Sequence, residues 1–454
     1  MNAGTKAAIP AAPLRIAVVG GGFSGMAAAE ALLAQGAEVH VFEKQSQLGG
    51  EVATRAIGST FVEYYYHHCF SSDHHLLASA ERLGVTDKLT WVDSTMGFYW
   101  KGQLLPFNGP TDVLRFKPLN PLQRFRLGLS VLYLQRRKRW QPFQDVSAAD
   151  WMRRFCGDRV FDTVWGGLLK AKFGEDWHRV SMSWLWARIY VRAASRSKGM
   201  AKEQLGYFDN SFRTLVDAFG RRIEELGGHI HLEAPAERII VENGQARGIV
   251  AGGERRDFDL VLAAVHTPIF LHLAPDLPED YRTRLGSIEY KGASCLLLEL
   301  DRRMSPYYWL NISAEDLPFT ALVEQTNLVS PAAYGGSHLL YVARYMSPQD
   351  PLMRMETSAL FEHYLPFLQK VYPQFSRDMV KNMWSGGDPF AQPLIEVGYQ
   401  HKKPEPRTPV PRLYLANTTL IYPEDRGINY SIRLGQEVAA RILADAPQFV
   451  QRNN

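Results

Sequence analysis

Cysteine is scarce in this 454-residue chain. Its three, Cys69, Cys156 and Cys295, lie far apart, so no CxxC metal or redox pair and no disulfide framework can be read from the spacing. Long apolar runs are missing too. No stretch of about 18 residues is free of charge, which excludes a transmembrane helix on pattern. Residues 1 to 13 are rich in Ala, Gly and Pro and lack the apolar centre of a signal peptide. These absences point to a reducing cytoplasm, with attachment to the inner membrane surface left open. Nor is there an excess of one charge. Fifty-one Lys and Arg against 47 Asp and Glu leave +4 over the whole chain, without the concentrated field that nucleic acid needs. Neither nucleic acid nor a metal is an expected partner.

What is present is apolar material for more than one core. With 46% hydrophobic and 22% charged residues the chain falls in the globular range, and its length exceeds the roughly 250–300 residues that one core supports. Near the N-terminus Arg15 to Val19 (RIAVV) is a short β-branched run cut off by Gly20-Gly21-Gly22, hence a buried parallel strand. Phe23 to Gln35 is an Ala- and Leu-rich helix ending at Gly36, and EVHVFE, Glu38 to Glu43, is a second strand. The three form a βαβ unit.

Gly20, Gly22 and Gly25 follow the GxGxxG spacing of a dinucleotide site. The first permits the tight turn, the second lets pyrophosphate approach, and the third lets helix and strand close. Phe23 and Ser24 open the helix, whose free N–H groups and positive dipole end suit phosphate. Glu43, 23 residues after Gly20, is placed to bind ribose hydroxyls, with Lys44 beside it. A carboxylate there repels a 2′-phosphate, so NADP is disfavoured, while FAD and NAD stay open.

The stretch after Glu43, KQSQLGGEVAT, resembles the flavin-containing amine oxidase superfamily, which includes protoporphyrinogen oxidase and phytoene desaturase. Gly49, Gly50 and Thr54 match its Gly-Gly-Arg-x-x-Thr pattern, and Glu51 stands where that pattern has Arg. Arg55 is near enough in sequence to replace it. The resemblance implies FAD and a discontinuous cofactor domain to which the chain returns twice. An amphipathic helix from Arg213 to Leu226, followed by short strands at 229–233, 237–241, 246–251 and 260–265, resembles the first return, with backbone near Ala236 at the adenine end. PRLYLANTTLIYPEDRGINYSIRLGQEVAARIL, residues 411 to 443, resembles the second. There Leu413 to Ala416 is a strand, Asn417 replaces the usual glycine, and backbone N–H groups of Gly427, Ile428 and Asn429 open a helix toward the flavin. The implied fold is α/β: a Rossmann-type FAD domain of residues 1–60, 205–270 and 396–454, with an inserted mixed sheet-and-helix substrate domain of 61–204 and 271–395.

The inserted half holds eight of the ten tryptophans, between Trp91 and Trp186, which suit either core packing or an apolar pocket. Tyr64-Tyr65-Tyr66-His67-His68 and His74-His75 form the densest polar-aromatic cluster. His67 and His68 are candidates for proton movement beside the flavin, with packing as the alternative and metal binding weakly supported by the spacing. Tyr430, at the start of the final helix, is a candidate to stack on substrate or donate a proton, or else packs. Lys291 in SIEYKGASCLLLEL does not match the lysine of amine oxidases in register. RFRLGLSVLYLQRRKRW, Arg124 to Trp140, reads either as a solvated helix or as one lying on anionic lipid with Trp140 at the interface.

Three functions follow. The first is an oxidoreductase that dehydrogenates or desaturates a largely apolar, isoprenoid or lipid-linked substrate by hydride transfer to flavin N5. The second is a flavin-dependent isomerase or mutase of a nucleotide-sugar-like or lipid-linked substrate, for which Arg188, Arg192 and Arg344 supply phosphate contacts. The third is an amine oxidase, or a prenyl-binding module of the same fold without catalysis; the intact Gly20, Gly22, Gly25 and Glu43 set weighs against the module.

Overall fold

The computed structural model describes residues 13–194 and 203–451; residues 1–12, where no export signal is expected, lie outside them. Strand β1 (Arg15–Val19) pairs in parallel with β2 (Glu38–Phe42) on one side. Three more strands, β3 (His229–His231), β4 (Leu260–Ala263) and β5 (Leu413–Leu415), complete a five-stranded parallel sheet in the order β3-β2-β1-β4-β5. Residues 16–19 and all of β4 and β5 are buried, as a sheet covered on both faces requires. Segments from the start, middle and end of the chain thus build one doubly wound unit.

Helix α1 (Phe23–Leu33) follows β1 and stops short of Gly36, whose φ of 83° only glycine adopts freely. Among the described residues three more helices bear on function: α2 (Pro121–Arg136), α3 (Arg213–Glu225) and α4 (Ile428–Gln451). α3 buries Leu215, Val216, Phe219 and Ile223, and Phe219 meets Phe23 edge-on at 5.9 Å. α4 lies against α1 so closely that a Cβ on Gly435 would stand 2.3 Å from the Ser24 carbonyl oxygen.

A second sheet has seven strands in the order 380–393, 290–300, 338–346, 321–324, 309–312, 96–100 and 103–106. All its pairs are antiparallel except Trp309–Ile312 with Met96–Trp100. Its side chains alternate between two cores. Leu296, Leu298, Leu300, Leu340 and Val342 pack with Leu360, Phe361, Tyr364 and Leu368 of the helix Thr357–Val371. Cys295, Leu297, Leu339, Tyr341 and Ala343 join the core of the parallel sheet. The odd-numbered face therefore looks toward the nucleotide-binding half, and Tyr345 belongs to it.

The basic apolar segment departs from expectation at both ends. Asn120 and Gln123 cap each other's backbone N–H groups and Pro121 takes the first helical position, so α2 starts three residues before Arg124 and ends at Arg136. Trp140 is no interfacial anchor. It is half-buried, edge-on to Tyr422 at 4.9 Å, because the chain turns inward after the helix. Most of the tryptophan-rich stretch is packing, as where Trp151 stacks on Phe155 at 4.7 Å and Trp186 on Tyr190 at 4.9 Å.

Glu63 ends a short strand, Thr60–Glu63, and is fully buried. Its carboxylate accepts from the Tyr207 hydroxyl at 2.6 Å and the Phe212 N–H at 2.7 Å. Burial outweighs both bonds and pushes its pKa up to about 7 from the ordinary 4.5. The native state then holds a proton that the unfolded chain has lost, so stability present below pH 4.5 falls as pH rises through about 7. The loss is roughly 3 kcal/mol for one buried group. Glu63→Gln removes this titration. The difference in Tm between variant and wild type is expected to move in the variant's favour from pH 5 to pH 8; a difference independent of pH would refute the assignment.

Candidate active site

The nucleotide loop is built by backbone approach. Gly20, at φ 110°, donates its N–H to the Phe42 carbonyl at 2.9 Å, and a Cβ there would meet the Ala264 carbonyl oxygen at 2.7 Å. A Cβ on Gly25 would lie 2.0 Å from the Gly20 oxygen. Gly22 differs, because the nearest atom to its Cβ position is the Gly50 Cα at 4.0 Å. That open cradle at the start of α1, where Phe23, Ser24 and Gly25 lack a side-chain cap, suits a pyrophosphate. Gly49 forms a bridge to Gly22, and it and Gly50 both adopt positive φ. Glu43 is buried and accepts from the Gly21 N–H at 2.8 Å and the Gln45 N–H at 2.9 Å, while Lys44 beside it is exposed. The Ala234 N–H donates to the Glu43 carbonyl at 2.9 Å, which brings the strand starting at Ala236 beside the acid.

Glu51 does not mimic the arginine of the family pattern. It forms a cluster with His266, which follows β4, and Asp388 of the second sheet. His266 Nε2 lies 3.3 Å from Asp388 Oδ2 and 3.7 Å from Glu51 Oε1. Burial disfavours the imidazolium, but the two carboxylates outweigh it and push His266 up to about 9. Burial and the Asp388 charge raise Glu51, while His266 helps hold Asp388 below the carboxylate range against its burial. Arg55 does not replace the missing arginine. Its guanidinium lies 3.9 Å from the Trp384 ring, since the strand Thr54–Ile57 turns it toward residues 380–393.

The second return of the chain brings a set of groups that sequence reasoning missed. Asp425 accepts from Lys172 Nζ at 2.9 Å and Trp184 Nε1 at 3.0 Å, and pairs with Arg188. Arg426 donates to the Tyr345 hydroxyl at 3.3 Å, and Lys172 Nζ is 5.1 Å from the Tyr345 ring. Burial disfavours charge on Asp425, but Lys172 and Arg188 hold it well below the carboxylate range. Lys172 is itself lowered, because burial, Arg188 and Arg426 together outweigh Asp425. Burial opposes ionisation of Tyr345, yet Lys172 and Arg426 outweigh it and bring the phenol below its ordinary value. Its neighbour Tyr66, edge-on to Trp309 at 4.9 Å, is raised well above by burial.

The other candidates fall around this centre. His67 Nδ1 lies 2.7 Å from the Tyr65 carbonyl oxygen and His68 Nδ1 3.0 Å from the Tyr308 hydroxyl. Burial pushes His67 down to about 4 and His68 to about 3, so both are neutral at pH 7. Tyr430 has the Arg433 guanidinium 4.9 Å from its ring, and burial raises its phenol. The Asn429 side chain accepts from the N–H groups of His75 and Leu76, at 2.9 and 3.2 Å. Asn417 donates to the Val265 oxygen at 2.8 Å and accepts from Thr419, so its side chain ties β4 to β5. Gly427 is exposed and Ile428 buried, at the opening of α4. Arg344 pairs with Asp350 and Lys291 with Asp176, while an Arg192 nitrogen lies 3.9 Å from the Met96 sulfur.

The residues fit FAD. His266 Nδ1 and Arg426 Nε are buried polar atoms without protein partners, able to meet polar groups of a cofactor. A doubly wound parallel sheet with this glycine loop and a buried acid at the end of its second strand defines a dinucleotide-binding protein. The flavin containing amine oxidoreductase family matches residues 23–443. The chain belongs to this family of FAD-dependent oxidoreductases. It is 22% identical to the zeta-carotene desaturase of Arabidopsis thaliana, over 89% of this chain and 81% of that one. It is 23% identical to the flavin-containing amine oxidase B of Homo sapiens, over 94% and 86%. Against a Mycobacterium tuberculosis protein named as flavin-containing monoamine oxidase AofH the identity is 25%, and the match spans only 60% of that relative's length. The fold is shared with reduced UDP-galactopyranose mutase, at a TM-score of 0.74 and 14% identity over 96% of this chain and 97% of that one. Cyclohexylamine oxidase from Brevibacterium oxydans IH-35A shares it at 0.71 and 17%, over 96% and 99%.

Gly22→Val is expected to abolish FAD retention by filling the cradle, read as loss of visible flavin absorbance per mole of folded protein. Glu43→Ala is expected to weaken FAD by roughly 1.5–3 kcal/mol, the range for hydrogen bonds to a charged group. Titration of apoprotein with FAD measures this, and unchanged affinity would move the adenosine away from Glu43.

Proposed function

We propose that this chain dehydrogenates a largely apolar substrate that carries an anionic head group, of the isoprenoid or lipid-linked kind. The observation that supports this reading is the cation surplus around Asp425. Lys172 is buried and Arg188 half-buried, both paired with Asp425, and the charge of the half-buried Arg426 bears on Lys172. Charge in a buried site is costly, and burial together with Arg188 and Arg426 lowers Lys172 in spite of its pairing with Asp425. A phosphate or carboxylate would supply the missing charge, and the planar fork of an arginine suits it. An ammonium substrate would instead be repelled, and Lys291 is engaged by Asp176.

FAD, when bound, supplies the two-electron acceptor. The chain's own part is to hold the head group, exclude water with the Tyr66, Trp309 and Tyr341 wall, and take up a proton. Tyr345 is the group for the last task. Among Tyr65, Tyr66 and Tyr345 it is the one phenol for which the neighbouring cations outweigh burial, and a base is most effective when its pKa approaches the working pH. The second reading, an isomerase or mutase without net redox, draws on the same cations, which also suit a sugar-nucleotide pyrophosphate.

Titrating the flavoprotein with inorganic pyrophosphate and with farnesyl phosphate, while following the flavin absorption bands, tests the reading. Both probes are expected to perturb the bands, farnesyl phosphate at lower concentration than pyrophosphate. Lys172→Met is expected to weaken both by roughly 1.5–3 kcal/mol without loss of FAD. No response to either anion would overturn the anionic head group. Turnover of UDP-galactose only after the flavin has been chemically reduced would favour the mutase.

A further inference from the structure

We propose that the outward face of α2, with the turn before it, is a docking surface for an anionic lipid bilayer. The proposal goes beyond the chemistry of the site and holds whatever the substrate.

Seven large hydrophobic side chains are exposed among the described residues, and five lie between positions 114 and 132: Leu114, Leu122, Phe125, Leu129 and Leu132. The last four recur at intervals of three and four, so they form one stripe along α2. Leu122 and Phe125 are 68% and 65% exposed. The opposite face buries Leu127, Ser130 and Leu134 and attaches the helix to the protein. Arg124 fastens its start by donating to the carbonyls of Leu114, Phe116 and Leu119. With one face and one end secured, the apolar stripe is not needed to hold α2 in place. A solvated helix would carry polar residues there.

Charge selects the occupant. From Val113 to Gln144 the chain has eight Lys or Arg residues and no Asp or Glu. Arg115 and Lys117 are exposed before the stripe, Arg126 beside it, and Arg136, Arg137, Lys138 and Arg139 after it. A second copy of this chain, docking by the same face, would set these cations against each other. Anionic headgroups meet the cations while the acyl boundary receives the leucines and Phe125, the arrangement of an interfacial helix. Among the described residues no helix is long and apolar enough to cross a membrane, so α2 lies in the plane of the surface.

The test is sedimentation of the flavoprotein with vesicles of phosphatidylcholine alone and of phosphatidylcholine with phosphatidylglycerol. Wild type is expected to bind the anionic vesicles at low salt, to ignore the neutral ones, and to be released at about 0.5 M salt. Two variants divide the surface. One combines Leu122→Ser, Phe125→Ser, Leu129→Ser and Leu132→Ser; the other combines Arg136→Gln, Arg137→Gln, Lys138→Gln and Arg139→Gln. Each is expected to lower the partition by about ten-fold or more, with flavin content per protein unchanged because none of these side chains is buried. Three results would overturn the proposal: wild type that ignores anionic vesicles at low salt, an apolar-stripe variant that binds as wild type does, or a wild-type dimer that the Ser variant dissociates.

Discussion

The close contact of α4 with α1 is the constraint from which the site follows. It exists because Gly435 has no side chain to strike the Ser24 carbonyl, just as Gly25 has none to strike Gly20. The turn before α4 then brings Asp425 to Lys172 and Arg426 to Tyr345 of the second sheet. A methyl group at either glycine would need a backbone shift of an ångström or more, and the whole loop from Asn417 to Ile428 would move with it. The glycines therefore act at a distance: they position charges that belong to other parts of the chain.

Those charges divide into two clusters of opposite tendency. Around Glu51, His266 and Asp388 there are two carboxylates for one imidazole, and the arrangement resolves itself by keeping His266 charged and Glu51 hard to ionise. Around Asp425 the cations are in excess, and the arrangement resolves itself by making Lys172 easier to deprotonate. Arg426 acts on both, since its charge bears on Glu51 and on Tyr345. A bound anion at the second cluster would remove the excess and raise Lys172 again, so binding of substrate and protonation of the site are linked.

Legibility in the sequence followed distance along the chain. The GxGxxG loop, β1, α1 and β2 were readable because their signals lie within 30 residues and each glycine has a steric reason. The family pattern made the two later returns readable as elements, although the short strand Glu254–Asp257 was not read and the last helix runs on to Gln451, past the pattern's end at 443. The start of α2 is encoded in the Asn120-Pro121-x-Gln123 cap, a weaker pattern than the basic run Arg136 to Arg139 that pulls the helix and Trp140 outward on sequence alone. The two charge clusters were not readable. Lys172 and Asp425 are 253 residues apart, and nothing local marks Lys172 out from the exposed Lys170 two positions earlier. The stretch YPEDRGINY carries the local signal for the second cluster, since three charges, Glu424, Asp425 and Arg426, in a turn before a largely buried helix demand partners.

In the proposed reaction the proton goes to a tyrosine rather than a histidine for a reason that lies in the sign of the neighbourhood. His67 and His68 sit where burial and the charges of Arg426, Arg188 and Arg192 all oppose a second proton. Cations that suppress an imidazolium favour a phenolate, and Tyr345 feels Lys172, Arg426 and Arg188 together. On that reading the field that would hold an anion opposes protonation of the histidines and favours ionisation of the phenol. An anion bound there would offset part of that field and raise Tyr345 back toward its ordinary value, so head-group binding and the protonation state of the phenol are linked.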